Sequence, residues 1–189
     1  MSKLCEKIGY NLYQLRPGAW EEIIEATNQF FIQKHAKQKR ERDMVFASCR
    51  EAIAYDPKSG SAWVSMGALH YDSGDIESAR KCFETATGVD PGYLLGWFNL
   101  AAVLDEMGQV QDSEERYLKA IALSPQYANA HYNLGLLYER LDENRAAIKH
   151  YELYLKHTSD TDLHRTVIRG KIKTLRAKDI HCVPILIEK

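Results

Sequence analysis

Histidines are the residues of this chain best suited to metal binding or acid–base chemistry. Three of the seven, His150, His157 and His164, follow one another at seven-residue steps. A metal site needs ligands that converge on one point and are supported by carboxylates. The polar stretch 158–162 interrupts any helix between the second and the third histidine. We therefore interpret them as surface or interface residues, and we predict neither a metal site nor a cofactor.

The remaining chemistry-bearing residues also form no known catalytic pattern. The four cysteines stand singly, with no C-x-x-C pair, and lone thiols on apolar helix faces are typical of small core residues. The sequence contains no glycine-rich phosphate loop, no H-E-x-x-H and no G-x-S-x-G. We predict that the protein is not an enzyme and that it resides in the reducing cytoplasm.

Composition and charge narrow the classes of partner. With 189 residues, of which 45% are hydrophobic and 27% charged, the chain is typical of a globular protein with one core, and no apolar run is long enough for a membrane span. Residues 61–160 contain 15 acidic and only 8 basic residues. Because phosphate binding needs a basic surface, nucleic acid is an unfavourable main partner.

A period of 34 residues organises the middle of the chain. It relates prolines, aromatic residues and small residues in three successive units. The related positions include Pro57, Pro91 and Pro125; Trp63, Trp97 and His131; Gly67, Ala101 and Gly135; and Phe83, Tyr117 and Tyr151. Each unit reads as two amphipathic helices, which cannot bury their apolar faces alone, so neighbouring units must stack.

These residues carry a family resemblance. The pattern Trp–x2–Leu–Gly–x2–Tyr, followed by Ala–x3–Phe, Ala and Pro, resembles the tetratricopeptide repeat. The resemblance implies an all-α fold, a right-handed α-solenoid of stacked antiparallel helix pairs. We place repeat one at 60–93, repeat two at 94–127 and repeat three at 128–159.

The flanking segments depart from the pattern. We predict N-terminal helices over 1–59, with a degenerate helix pair in 18–56, because Trp20 lies nine residues too far from Trp63. Bulky Tyr154 in repeat three predicts that a capping helix, 160–179, follows in place of another repeat. Its predicted apolar face consists of Leu163, Val167, Ile168, Ile172 and Leu175.

Two further segments allow two interpretations each. The basic run 34–42 is either a patch for nucleic acid or membrane, or a solvated helix end or turn, which we favour. The apolar tail 180–189 either packs against its own chain, which we favour, or pairs with a partner that could be a second copy.

Asn133 and Gly135 are unusual choices for a helix interior. The resemblance implies that the small residues Gly67, Ala101 and Gly135 stand where paired helices approach closely. The resemblance places Asn99 and Asn133 on a concave groove where such amides can bind a peptide backbone, and an amide offers both donor and acceptor. The alternative is that they are merely solvated consensus residues. The residues predicted on this groove are Val64, Ser65, Tyr71, Asp72, Leu95, Phe98, Asn99, Asp105, Asn129, Tyr132, Asn133, Leu136 and Glu139.

The function predicted from this groove is that of a scaffold or adaptor that binds a peptide segment of another protein. The basic residues with which some family members clamp a C-terminal carboxylate are absent, since Val64, Ala68, Asn129 and Asn133 stand there. A basic or apolar segment fits the acidic charge better. The alternatives are a chaperone-like holder of a hydrophobic client, such as a secretion or assembly chaperone, and a targeting subunit of an enzyme or nucleic-acid complex.

Overall fold

The computed structural model describes residues 19–159 and 161–181, which form eight α-helices and no strand. The helices are α1 (Ala19–Tyr55), α2 (Gly60–Asp72), α3 (Ile76–Val89), α4 (Leu94–Glu106), α5 (Val110–Leu123), α6 (Ala128–Arg140), α7 (Asn144–His157) and α8 (His164–His181). The all-α prediction is therefore confirmed. None of the described helices is both long enough and apolar enough to cross a membrane. Residues 182–189 of the predicted tail lie outside the described residues.

Helix α1 differs from the prediction. A single unbroken helix of 37 residues replaces the expected helix pair in 18–56. The physical reason is that residues 19–55 contain no glycine or proline and are rich in Lys, Arg, Gln, Glu and Ala, which favour helix. The basic run 34–42 is exposed in the middle of α1, not at a helix end or turn. Two compact units are distinguished, Met1–Ala47 and Ser48–Lys189, and all three repeats lie in the second.

Within each repeat, a tight turn connects the two helices. Gly74 and Gly108 occupy this turn with φ of +80° and +76°, and Asp142 takes the same left-handed conformation in repeat three. Aspartate tolerates this region better than most side chains, which explains how repeat three manages without the glycine. The chain therefore reverses direction at the same point of each repeat.

A recurring ring nitrogen binds the backbone of the loop that precedes the first helix of each repeat. The Trp63 indole donates a hydrogen bond to the Pro57 carbonyl oxygen at 3.0 Å, and Trp97 does the same to Pro91 at 2.9 Å. In repeat three His131 replaces tryptophan, and its Nε2 lies 3.1 Å from the Pro125 carbonyl oxygen. The spacing of aromatic residue and proline thus reflects one contact made three times.

The predicted close approach of paired helices is confirmed at both glycines. A Cβ atom at Gly67 would lie 2.5 Å from the ring of Phe83, and one at Gly135 would lie 2.5 Å from the ring of Tyr151. Both rings are buried almost completely. The helix-propensity cost of these glycines is therefore offset by aromatic packing across each pair.

Helix α8 packs on the last repeat with an apolar face narrower than the predicted one. Ile168, Ile172 and Leu175 are buried in one cluster with residues of α6 and α7. Leu163 and Val167, which were predicted on the same face, are instead 90% and 58% exposed. Leu163 precedes the helix, and Val167 lies on its solvent side. Ile168 continues the 34-residue series of Leu100 and Leu134, so α8 stands where the first helix of a fourth repeat would stand.

Candidate functional site

The inner face of the repeats is formed by their first helices, α2, α4 and α6. Successive first helices contact each other directly, α2 with α4 and α4 with α6. Side chains that lie between two first helices are therefore flanked by two neighbouring repeats. Here a bound segment would meet several repeats at once.

A cavity of about 160 Å³ opens between α2 and α4 on the inner face. We call it the α2–α4 cavity. Its floor consists of the buried side chains of Phe83 and Val103, and Ala68 and Ala102 form small side walls. The residues that line it are Ala68, Tyr71, Asp72, Phe83, Asn99, Ala102 and Val103. Three predicted groove residues, Tyr71, Asp72 and Asn99, are thus brought together at one apolar depression.

Asn99 is a polar residue of this cavity that remains available for a ligand. Its side chain is partly exposed, and among the described residues it makes no hydrogen bond. One repeat later, the amide nitrogen of Asn133 donates to the Tyr117 hydroxyl at 3.0 Å. The ring that corresponds to Tyr117 near Asn99 is Phe83, which has no hydroxyl. The two predicted asparagines are therefore not equivalent, and Asn133 is partly engaged in the fold.

The rim of the α2–α4 cavity is acidic. The neighbouring Glu106 carboxylate, together with burial, raises the pKa of Tyr71 above its usual value. Tyr71 and Asp72 lie at the end of α2, and Glu106 is the last residue of α4. The carboxylates of Asp72 and Glu106 are exposed to solvent at this end of the two helices.

Two further acidic residues predicted for the groove are paired within the protein. Asp105 on α4 accepts a hydrogen bond and ion pair from Arg140 on α6. Glu139 on α6 accepts the Tyr151 hydroxyl at 2.5 Å and the Lys171 ammonium at 2.8 Å. Burial opposes ionisation of Glu139, but these two hydrogen bonds lower its pKa below the usual range. Both carboxylates thus join neighbouring helices and are not free for a ligand.

The apolar members of the predicted groove contribute mainly to the core. Val64 is buried beside Phe83 and Leu100, so it is not accessible on the groove. Leu95, Phe98 and Leu136 are half-buried and pack against the two core clusters. The reason is that neighbouring repeats contact each other closely along α4 and α6, and this covers residues that helical spacing alone would expose.

The other predicted residues are spread over the rest of the inner face. Ser65 is exposed, but its hydroxyl donates to the Ser61 carbonyl oxygen of its own helix at 2.9 Å. Asn129 is exposed at the start of α6. Tyr132 packs against Tyr154 and near His164, so it contributes to the contact with the capping segment. These three residues do not line the α2–α4 cavity.

The histidines form a buried pair that is structural. The Nδ1 atoms of His131 and His150 lie 3.1 Å apart, and both residues are buried, which corrects the prediction of a surface or interface position for His150. Nε2 of His131 faces the Pro125 carbonyl, which only accepts, so this nitrogen carries the proton and His150 must donate from Nδ1. Among residues 19–159 and 161–181, no three potential ligands are grouped for a metal ion.

This pair predicts a loss of stability in acid. Burial, together with His131 and Lys149, lowers the pKa of His150 to about 4, whereas an unfolded histidine titrates near 6.5. The contribution of neutral His150 to the free energy of unfolding is therefore complete above about pH 6.5. It is lost as the pH falls toward about 4, by up to about 1.4 kcal/mol per pH unit. Urea unfolding at a series of pH values, compared with His150→Gln, should show a steeper decline for the wild type. If the stability of both proteins declined equally with pH, the inference that His150 is neutral in the folded protein would be contradicted.

The residues that decide which groove positions are free were not recognised from the sequence. Arg140 and Lys171 neutralise Asp105 and Glu139, and Tyr117 engages Asn133. The 34-residue period contains a signal for these partners. When each position is compared with its counterpart one repeat away, the positions where a cation or a hydroxyl replaces another residue can be found.

The family follows from these features. Residues 60–93 and 130–166 match models described as tetratricopeptide repeat, and residues 106–142 match a model described as TPR repeat. The chain belongs to the tetratricopeptide repeat family.

Solved structures with the same fold include two kinds of protein. A crystal structure of MamA has a TM-score of 0.58 and 20% identity, covering 77% of this chain and 92% of MamA. The type III secretion chaperone SycD of Yersinia enterocolitica, in complex with a peptide of the translocator YopD, has a TM-score of 0.59 and 16% identity, covering 63% of this chain and 93% of SycD. Comparison with curated protein sequences finds no significant match. At these identities the likeness concerns the fold alone.

Proposed function

We propose that this protein is a non-enzymatic adaptor of the cytoplasm that binds an extended segment of a partner protein on the inner face of repeats one and two. The observation that carries the proposal is the α2–α4 cavity, in which the amide of Asn99 makes no hydrogen bond to a described residue. An open amide beside an apolar depression supplies both polar contacts to a peptide backbone and room for a side chain.

The chemistry of the inner face favours a basic or apolar segment. The carboxylate of Asp72 lines the cavity, Glu106 acts electrostatically on the lining residue Tyr71, and the cavity floor is formed by Phe83 and Val103. An acidic C-terminal tail would be repelled there, and the chain lacks the basic clamp that such a tail would need. SycD, which shares the fold, was solved with a peptide of YopD, a precedent for peptide binding by this architecture.

A chaperone-like holder of a hydrophobic client is the second candidate. It is favoured by the apolar cavity floor and by the fold shared with SycD, a secretion chaperone. Binding that follows the apolarity of many clients would favour this function, whereas binding of one defined segment would favour the adaptor.

The proposal is tested by affinity capture from the lysate of the source cell. Wild type and Asn99→Ala serve as baits, with Lys119→Ala as a control because Lys119 is exposed on α5, one of the second helices. Asn133→Ala is unsuitable because it would also break the hydrogen bond to Tyr117. We expect a protein that is retained by wild type and by Lys119→Ala and is largely lost by Asn99→Ala.

Two outcomes bear on the proposal in opposite ways. Loss of one protein with Asn99→Ala alone, at unchanged urea midpoint, would support binding on the inner face. Equal capture by all three baits would contradict it and would move the binding surface away from the cavity.

A further inference from the structure

We propose that the α2–α4 cavity receives the side chain of a lysine or arginine of the bound segment. This inference rests on the proposed function and adds the chemical class that the cavity selects. It follows from a comparison of the three junctions between successive first helices, from the charge at the cavity rim and from the shape of the cavity floor.

At two of these junctions, the protein supplies its own cation. Between α4 and α6, Arg140 pairs with Asp105. Between α6 and α8, Lys171 pairs with Glu139 at 2.8 Å. In both cases a carboxylate near the end of one first helix pairs with a basic side chain of the helix one repeat later, α6 or α8. The inner face thus binds a cation at each of these junctions.

The first junction lacks this cation. The residues 34 positions before Asp105 and Arg140 are Tyr71 and Glu106, so an acid stands in the place of the arginine. Tyr71 at the first junction is a neutral phenol in the place of Asp105, and it lies beside the Glu106 carboxylate. Within the described part of the chain, no lysine or arginine pairs with Asp72 or with Glu106. The first junction therefore carries negative charge that the protein does not neutralise.

The backbone adds to this negative potential. Helix α2 ends at Asp72 and α4 ends at Glu106, so both helices direct their C-terminal carbonyl groups toward this end of the inner face. A helix C-terminus carries about half a negative charge and stabilises a cation nearby. Charge complementarity therefore selects a basic side chain over a neutral or acidic one.

The shape of the cavity fits the aliphatic stem of such a side chain. The volume of about 160 Å³ leaves room for a side chain. The floor of Phe83 and Val103 offers apolar contact to the stem, while Tyr71 and Asp72 receive the charged head at the rim. At the next junction, Leu136 replaces Ala102 and the Asn133–Tyr117 hydrogen bond crosses the corresponding space.

Defined peptide pools test this inference. Fluorescein-labelled nonapeptide pools carry lysine, Nε-acetyllysine, norleucine or glutamate at the central position, with randomised small neutral residues on both sides. Their binding is measured by fluorescence anisotropy at low and at physiological ionic strength. The proteins are the wild type, Asp72→Asn/Glu106→Gln, and the control Asp112→Asn/Glu115→Gln, which removes the same net charge from exposed positions on α5.

We expect wild type and control to bind the lysine pool at least about threefold more tightly than the acetyllysine pool, the range of a partly enclosed cation contact. In Asp72→Asn/Glu106→Gln this ratio should fall toward one. A wild type that binds the pools without preferring lysine would overturn the inference and leave the proposed function intact. Loss of the preference in both double variants would assign it to net charge and overturn the inference. Absence of binding to every pool would count against the proposed function itself.

Discussion

Replacement of Ile168 by alanine is expected to lower the free energy of unfolding by about 2–5 kcal/mol. The Ile168 side chain is 1% exposed and lies in the cluster that α8 shares with α6 and α7. Alanine would remove buried methyl and methylene groups, and the surrounding side chains of three helices would refill the space only in part. The measurement is urea denaturation followed by circular dichroism.

Val167 provides the matched control for this prediction. It is the preceding residue on the same helix, but its side chain is 58% exposed. Val167→Ala should therefore change the free energy of unfolding by less than about 0.5 kcal/mol. Equal effects of the two substitutions would show that α8 does not close the core through Ile168.

Gly135→Ala is expected to destabilise the protein by about 1–3 kcal/mol, although alanine is the better helix former by about 1 kcal/mol. The new methyl group would lie 2.5 Å from the Tyr151 ring. That ring is fully buried, and its hydroxyl is held by Glu139 at 2.5 Å, so it cannot easily move aside. The effect is measured as the change in urea midpoint and slope.

The control for this substitution should have the opposite sign. Gly170 lies inside α8, and no atom lies within 4 Å of the Cβ that alanine would add. Gly170→Ala should stabilise the protein by about 0.5–1 kcal/mol through helix propensity alone. If Gly135→Ala also stabilised it, the account of close helix packing would be wrong.

The fold of the repeats could be predicted because one contact pattern recurs. The contact between Trp63 and Pro57 is local and returns after 34 residues with Trp97 and Pro91. The packing of Gly67 on Phe83 returns after two such periods with Gly135 and Tyr151. A period therefore reports directly on packing. Helix α1 was not predictable in this way, because its nine extra residues carry no turn signal and simply extend the helix.

The candidate site was predictable only in part. Tyr71, Asp72 and Asn99 were expected on one surface and do line one cavity. The availability of Asn133 and Asp105 depends on partners 16 and 35 residues away. Such contacts require the relative rotation of neighbouring helices, which a periodic pattern does not specify. Val64 illustrates the same point, because it is buried in a cluster that joins residues of repeats one and two.

Site-specific photo-crosslinking tests the central claim, that the inner face of repeats one and two binds a partner segment, most directly. A benzoylphenylalanine is placed at Ala68, an exposed wall of the α2–α4 cavity, or at Leu118, which is 44% exposed on the second helix of repeat two. Each protein is irradiated with the captured partner, and the crosslinked peptides are identified by mass spectrometry. The account predicts one partner segment attached at Ala68 and little or none at Leu118. Crosslinks at Leu118 without crosslinks at Ala68 would contradict it.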